Sequence, residues 1–189
     1  MLDESRPSEI TELLRRFHAG DRSGYQRLME LMYEQVKAIA RRYLRDERPG
    51  HTMWSTDLVH EVYVRLATWN QLGEHRRELS ALLAFTIRRV LIEHARKRLA
   101  RKRREHVKFE LRGIPDMPET LDLLALDEAL HKLERVHKRQ FQVVQLRFFL
   151  GLSMQQIADE LGVKLRTVEG DWKAARLWLC RELSKDAPP

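Results

Sequence analysis

The residues most able to do chemistry in this sequence are cationic, and many of them lie in one segment. The stretch RRVLIEHARKRLARKRR, from Arg88 to Arg104, contains nine Lys or Arg and one acid, Glu93. Nine minus one gives +8, which exceeds the formal charge of +7 of the whole chain. Because the segment continues an amphipathic helical pattern, its charges are expected on a rigid element. Such a helix is suited to bind the phosphates of a nucleic acid.

A second basic unit follows near the C-terminus and has the pattern of a helix-turn-helix. Ser153 and Gln156 have the spacing of a capping box, and Gly162 suits the left-handed residue that ends a helix. Steps of four, three and four residues predict the buried face of the next helix, which consists of Val168, Trp172, Ala175 and Leu179. The alternative for this unit is an ordinary helical hairpin without a ligand.

The other face of that helix is predicted to enter the major groove of DNA. Arg166 is the first candidate for a base contact, whereas Lys173 and Arg176 are expected on phosphates. Glu169 could pair with Lys173 or accept a hydrogen bond from a cytosine amino group. Gly170 would let the DNA come close. The full set comprises Lys164, Arg166, Thr167, Glu169, Gly170, Lys173 and Arg176.

The elements that must position these two basic units are predicted to be helices throughout. Only 8 Gly and 6 Pro occur in 189 residues, and no run alternates like a strand. The stretch GIPDMPET is the clearest linker. The fold class is therefore all-α, with two small helical domains, 1–104 and 121–189, joined by a linker over 105–120. The C-terminal domain contains the helix-turn-helix.

Local signals place the helix starts. A capping box of Ser23 and Gln26 would start one helix at Gly24, and Thr56 or Asp57 would cap the next. A long helix is expected from about Ser80. Further helices are predicted at 10–18, at about 120–134 and at 138–150. Inward-facing side chains of the third and fourth helices are Leu58, Val59, Val62, Tyr63, Leu66, Leu83, Ile87, Val90, Leu91, His94 and Ala95.

Several functional classes lack the residues they need. HEVYV begins like a zinc-protease motif, but Val64 stands where its second histidine belongs. Cys180 is the only cysteine, so an intrachain disulfide or a cysteine zinc site is impossible. No apolar stretch is long enough to span a bilayer. We therefore expect a cytoplasmic protein without membrane insertion that uses no metal or cofactor and is not an enzyme.

From about Ile10 to Leu183 the sequence resembles bacterial sigma factors of the extracytoplasmic-function (ECF) type, which have two essential domains. TDLVHEVYVRL resembles the helix that docks on the clamp of RNA polymerase. LLAFTIRRVLIEHARKR resembles the helix that melts and reads the promoter −10 element. The segment from Phe141 to Leu183 resembles the domain that reads the −35 element. These motifs occur in the family's order.

The resemblance implies a transcription initiation factor that binds RNA polymerase core, at its clamp and flap, and promoter DNA. An anti-sigma factor is a further candidate partner. Trp69 and His75 would lie near the loop that accepts an extruded −10 base. The implied core-polymerase contacts are Asp57, Leu58, Glu61 and Arg65, and the implied −10 contacts are Arg88, Arg89, Glu93, Arg96 and Lys97.

Two other functions remain open at this point. A helix-turn-helix repressor or activator, without sigma activity, would use the C-terminal unit but leave the clamp and −10 similarities unexplained. A family member that has lost promoter-specific initiation would act mainly through protein contacts. Binding to RNA polymerase core separates the first alternative from a sigma factor.

Overall fold

The computed structural model describes residues 6–43, 55–67, 76–101, 108–110 and 120–185. Within these ranges the chain is almost entirely helical, which confirms the predicted all-α class. A single pair of three-residue strands is the exception. In chain order the elements are α1 (Arg6–His18), α2 (Arg22–Tyr43), α3 (Ser55–Ala67), α4 (Arg76–Arg101), β1 (Lys108–Glu110), β2 (Thr120–Asp122), α5 (Leu123–Val136), α6 (Lys138–Phe149), α7 (Met154–Leu161) and α8 (Leu165–Lys185).

The start of α2 differs from the prediction. The helix begins at Arg22, and the Asp21 carboxylate accepts hydrogen bonds from the backbone N–H groups of Ser23 and Gly24 at 2.8 and 3.3 Å. The predicted capping box of Ser23 and Gln26 is therefore wrong. Asp21 also accepts hydrogen bonds from the Ser23 hydroxyl and from the Arg16 guanidinium. The bond from the Ser23 hydroxyl, then that from Arg16, and then those from the backbone hold the pKa of Asp21 well below its ordinary value. A carboxylate is the better acceptor at a helix N-terminus because it also meets the positive end of the helix dipole.

Four other helix starts also differ from the prediction. Helix α1 begins at Arg6, four residues before the predicted start at residue 10. Helix α3 begins at Ser55, so Thr56 and Asp57 lie in its first turn and neither precedes it as a cap. Helix α4 begins at Arg76, four residues before the expected start. Helix α5 begins at Leu123, and Asp122 caps it by accepting from the N–H groups of Leu124 and Ala125. Helix boundaries are set by single cap contacts, which periodicity alone does not locate.

Helices α3 and α4 bury the faces that the periodicity predicted, with two exceptions. Leu58, Val62, Ile87 and other members of these faces have almost no exposed surface. The prediction that Tyr63 lies in the core is wrong, because the residue is 39% exposed. Its ring meets that of Tyr33 edge-on, with 6.2 Å between the ring centroids. His94 is only partly buried. Leu66 was also predicted to face inward, but nothing is described of its side chain.

Helix α4 is covered on two sides, although the sequence pattern predicted one buried face. It packs against α1 and α3 on one side and against α5, α6 and α7 on the other. Ala84, Arg88 and Ile92, which were not predicted to be buried, are at most 5% exposed. The predicted division into domains 1–104 and 121–189 stays a prediction, and in this structure the two parts are in direct contact through α4.

The linker region contains the two strands. Lys108, Phe109 and Glu110 of β1 pair antiparallel with Asp122, Leu121 and Thr120 of β2, respectively. The sequence predicted a linker over 105–120, and no alternating pattern there indicated a strand. This pairing places residues 108–110 beside residues 120–122, immediately before α5.

Candidate nucleic-acid interface

The turn between α7 and α8 is defined by the contacts that the sequence predicted. The Ser153 hydroxyl accepts from the Gln156 backbone N–H at 3.2 Å, and the Gln156 side-chain oxygen accepts from the Ser153 N–H at 2.9 Å. This reciprocal capping box starts α7 at Met154. Gly162 ends the helix with φ of +65°, in the left-handed region that favours glycine. The capping-box and turn predictions are therefore confirmed.

Helix α8 is divided into a buried and an exposed face. Val168, Trp172, Ala175 and Leu179 are buried, as the spacing predicted. Among the candidates for DNA contact, five are exposed and two, Thr167 and Arg176, are half-buried. The exposed five are Lys164, Arg166, Glu169, Gly170 and Lys173. The structure thus brings all seven candidates to one helix and to the turn before it.

The buried face of α8 also contains a charged side chain, which the apolar spacing did not predict. The Asp171 carboxylate is almost fully buried and accepts from the Arg139 guanidinium of α6 at 2.5 and 3.2 Å. This ion pair raises the pKa of Arg139 through its hydrogen bond to Asp171. Two adjacent N–H donors on one carboxylate restrict rotation as well as separation, so the pair orients α8 relative to α6.

Gly170 lies on the exposed face of α8. A methyl group placed at its Cβ position would meet nothing within 4 Å. Its backbone has ordinary helical dihedrals, since no positive φ occurs there. Neither packing nor backbone conformation within this chain therefore requires a glycine at position 170.

The five candidate −10 residues of α4 fall into different environments. Arg89 and Arg96 are 62% and 67% exposed at their side chains, and Lys97 is exposed as well. Glu93 is partly buried and paired. Arg88 is buried and bonded to Asp127 of α5. Only three of the five candidates therefore present an open surface to a polyanion in this conformation.

The family model described as ECF sigma factor matches residues 7–185, nearly the whole chain. The chain belongs to the ECF sigma factor family. This family comprises transcription factors that bind RNA polymerase core and promoter DNA and direct initiation from promoters. The comparison with individually curated proteins gives no match. Across the described ranges, no helix of this sigma factor is both long and apolar enough to cross a membrane.

The four candidate core-polymerase contacts of the sigma factor lie on α3. Asp57 is exposed and Glu61 is half-buried, so both reach the surface. Leu58 has 0% exposure and lies inside the core, where it supports the helix but presents no surface to a partner. Arg65 is half-buried and engaged by two carboxylates. Trp69 and His75, expected near the −10 loop, lie outside the described residues, as do positions 102–104 of the basic run.

One ion-pair network joins the candidate clamp helix to the candidate −10 helix. The Arg65 guanidinium donates to Glu61 on its own helix at 2.7 Å and to Glu93 of α4 at 2.6 and 3.1 Å. Arg89 donates to the same Glu93 carboxylate at 3.0 Å. The hydrogen bonds from Arg65 and then Arg89 lower the pKa of Glu93 to about 2. Glu61, Arg65, Glu93 and Arg89 thus form one chain of charges across α3 and α4.

This network predicts an acid-dependent loss of stability. The folded pKa of Glu93, about 2, lies below the value of about 4.3 expected in the unfolded chain. Its contribution is therefore present above about pH 4.3 and is lost as the pH falls toward 2. As the pH is lowered from about 5 to about 3, we expect the melting temperature of Glu93→Gln to fall less than that of the unmodified protein. Thermal melts monitored by circular dichroism measure this slope, and Glu34→Gln, at an exposed carboxylate, serves as the control. Equal slopes for the three proteins would contradict the assignment.

Proposed function

We propose that this protein directs RNA polymerase core to specific promoters by recognising −35 and −10 elements and by assisting the melting of the −10 region. It would act in the cytoplasm, without catalysing covalent chemistry. The observation that carries this proposal is the division of α8, whose basic outer face is exposed on a capped helix-turn-helix. Family membership supplies the class of activity, and the exposed residues supply the candidate contacts.

In the proposed −35 complex, the first turns of α8 enter the major groove. Arg166 is exposed near the N-terminal end of the helix, where helix-turn-helix proteins contact base edges. A guanidinium there can donate two hydrogen bonds to the O6 and N7 atoms of a guanine. Lys173, farther along the helix, would contact phosphate and fix the register.

In the proposed −10 complex, the exposed cations of α4 follow the DNA backbone. Arg89, Arg96 and Lys97 carry the positive surface that phosphates require. Asp57 and Glu61 of α3 would contact the polymerase clamp, and the C-terminal domain would contact the flap. Because Arg65 and Glu93 link the two helices, the clamp contact and the −10 contact would be held in a fixed relative geometry.

Run-off transcription with reconstituted holoenzyme tests the proposal. The purified protein is added to RNA polymerase core together with a library of genomic fragments, and the transcripts are sequenced. A sigma factor gives transcripts that start at defined positions and depend on its addition. Binding to promoter DNA without binding to core would instead indicate a helix-turn-helix repressor or activator. Binding to core without any initiation would indicate a family member that has lost promoter selection.

A further inference from the structure

A buried ion pair connects the proposed −10 helix to the C-terminal part of the chain. The Nε of Arg88 on α4 donates to the Asp127 carboxylate of α5 at 2.8 Å, and Nη2 lies 2.7 Å from the same oxygen. The two side chains are 6% and 8% exposed. The same Nη2 also donates to the backbone carbonyl of Asp127 at 3.1 Å, and the guanidinium lies 5.7 Å from the ring of Phe141. Arg88 is thus enclosed on several sides by α5 and α6.

Two further arginines of α4 contact the C-terminal part. The Nη2 of Arg96 lies 3.7 Å from the second carboxylate oxygen of Asp127, although its side chain is largely exposed. Arg77 donates through Nε to the carbonyl of Glu160 at 2.7 Å, at the end of α7. Positions 77, 88 and 96 lie on one face of α4, and that face lines a cleft of about 580 Å³ against α5, α6 and α7.

In the proposed −10 complex, a phosphate bound by Arg88 would replace the carboxylate of Asp127. That carboxylate binds Arg88 fully and Arg96 at longer range, and both belong to the set proposed for −10 DNA. Arg88 cannot neutralise a DNA phosphate at the same time, because its Nε and Nη2 groups already donate to Asp127 and its side chain is shielded from water. In this conformation the −10 surface is therefore incomplete.

We propose that Asp127 is an autoinhibitory latch, which holds α5 over the −10 face of α4 in the free protein and releases it for DNA. The inference rests on the proposed −10 role of Arg88 and Arg96. Opening exposes Arg88 to water and to phosphate and separates the already exposed Arg96 from its ion pair with Asp127, so a polyanion competes directly with Asp127. Because only open molecules bind, the apparent affinity of the free chain for DNA equals the affinity of the open form multiplied by the fraction of molecules that are open.

The test compares two substitutions that change the net charge equally. Asp127→Asn removes the latch carboxylate, whereas Glu128→Gln removes the neighbouring carboxylate of the same helix, which is exposed. The probe is a fluorescein-labelled oligothymidine of about 20 nucleotides, bound by the full chain at one fixed salt concentration. We expect Asp127→Asn to bind at least about threefold more tightly than Glu128→Gln, since nonspecific electrostatics changes identically in both. Small-angle scattering should give the larger radius of gyration for Asp127→Asn. Equal affinities would overturn the latch.

A second pair of variants decides the matter if Asp127→Asn loses its helical circular dichroism. Arg77→Ala removes the contact to the Glu160 carbonyl, and Arg135→Ala removes an exposed arginine of α5. Loss of positive charge alone weakens binding of the oligothymidine equally in both. The latch predicts that Arg77→Ala binds more tightly than Arg135→Ala, and equal or weaker binding would overturn it. Failure of the proposed function is seen separately, as absence of run-off transcripts from the unmodified protein.

Discussion

Arg166→Ala is expected to lower −35-dependent initiation by about 5- to 150-fold while binding to RNA polymerase core stays unchanged. The arginine is exposed near the start of α8, and its loss removes a guanidinium placed to contact a base edge. One bidentate contact to a base discriminates by about 1–3 kcal/mol, which corresponds to this range of affinity. The folded state loses little, because no core side chain is altered. Promoter-dependent run-off transcription and core binding by native gel electrophoresis measure the two effects on the same preparation.

The matched control is Arg181→Ala, at an exposed arginine near the other end of the same helix. It removes the same charge but lies about four turns from Arg166, beyond the part of α8 proposed to enter the groove. Salt dependence adds a second criterion. A base contact by Arg166 predicts that its substitution relaxes sequence preference, whereas a phosphate contact predicts uniform weakening and a shallower salt slope. Equal loss of initiation in both variants would contradict a base-reading role for Arg166.

Sequence periodicity predicted the helices and their principal buried faces because burial of an amphipathic face leaves a direct mark on residue spacing. The steps from Val168 to Leu179 give the buried side of α8, and the structure agrees. The helix-turn-helix was also predictable, since Ser153, Gln156 and Gly162 are residue types that caps and left-handed turns require. These features depend on local sequence, so no tertiary information was needed.

The buried charges could not be assigned because hydrophobicity assigns charged residues to the surface. Asp127 lies among Leu123, Leu126 and Leu130 on the buried stripe of α5. Asp171 likewise lies three residues after Val168, on the buried stripe of α8. A carboxylate at a core position is a usable signal for a buried cation, but its partner lies 39 residues away for Asp127 and 32 for Asp171. Only the tertiary fold identifies Arg88 and Arg139 as those partners.

The second covered side of α4 was missed for a related reason. Its residues include Arg77, Arg88 and Arg96, whose types are those of a solvent-exposed or DNA-binding face. One sequence pattern therefore fits two states, a face bound to phosphate and a face bound to Asp127. The pattern cannot distinguish them, because both partners are anions that satisfy the same guanidinium donors.

Gly170→Ala is expected to stabilise the protein and to weaken −35 binding. An exposed glycine inside a helix costs about 1 kcal/mol relative to alanine, and the added methyl group meets nothing within 4 Å. The melting temperature should therefore rise by about 2–4 °C for a chain of this size. If DNA lies against Gly170, the methyl group forces α8 away from the groove. We then expect a loss of about tenfold in −35 affinity, or about 1.4 kcal/mol. Circular dichroism melts and fluorescence anisotropy with a promoter fragment measure the two quantities.

Ser184→Ala is the control for stabilisation without contact to DNA. Ser184 donates its hydroxyl to the Cys180 carbonyl at 2.7 Å near the end of α8, and alanine there favours the helix. This variant should melt no lower than the unmodified protein and bind the −35 fragment equally well. A general effect of helix stability on binding would move both variants in the same direction. If Gly170→Ala alone gains stability and loses −35 affinity, a bound partner must lie close to its Cα, since none of the described residues occupies that space. If Gly170→Ala gains stability and keeps its affinity, the glycine does not contact DNA, and the groove-facing side of α8 must be centred elsewhere.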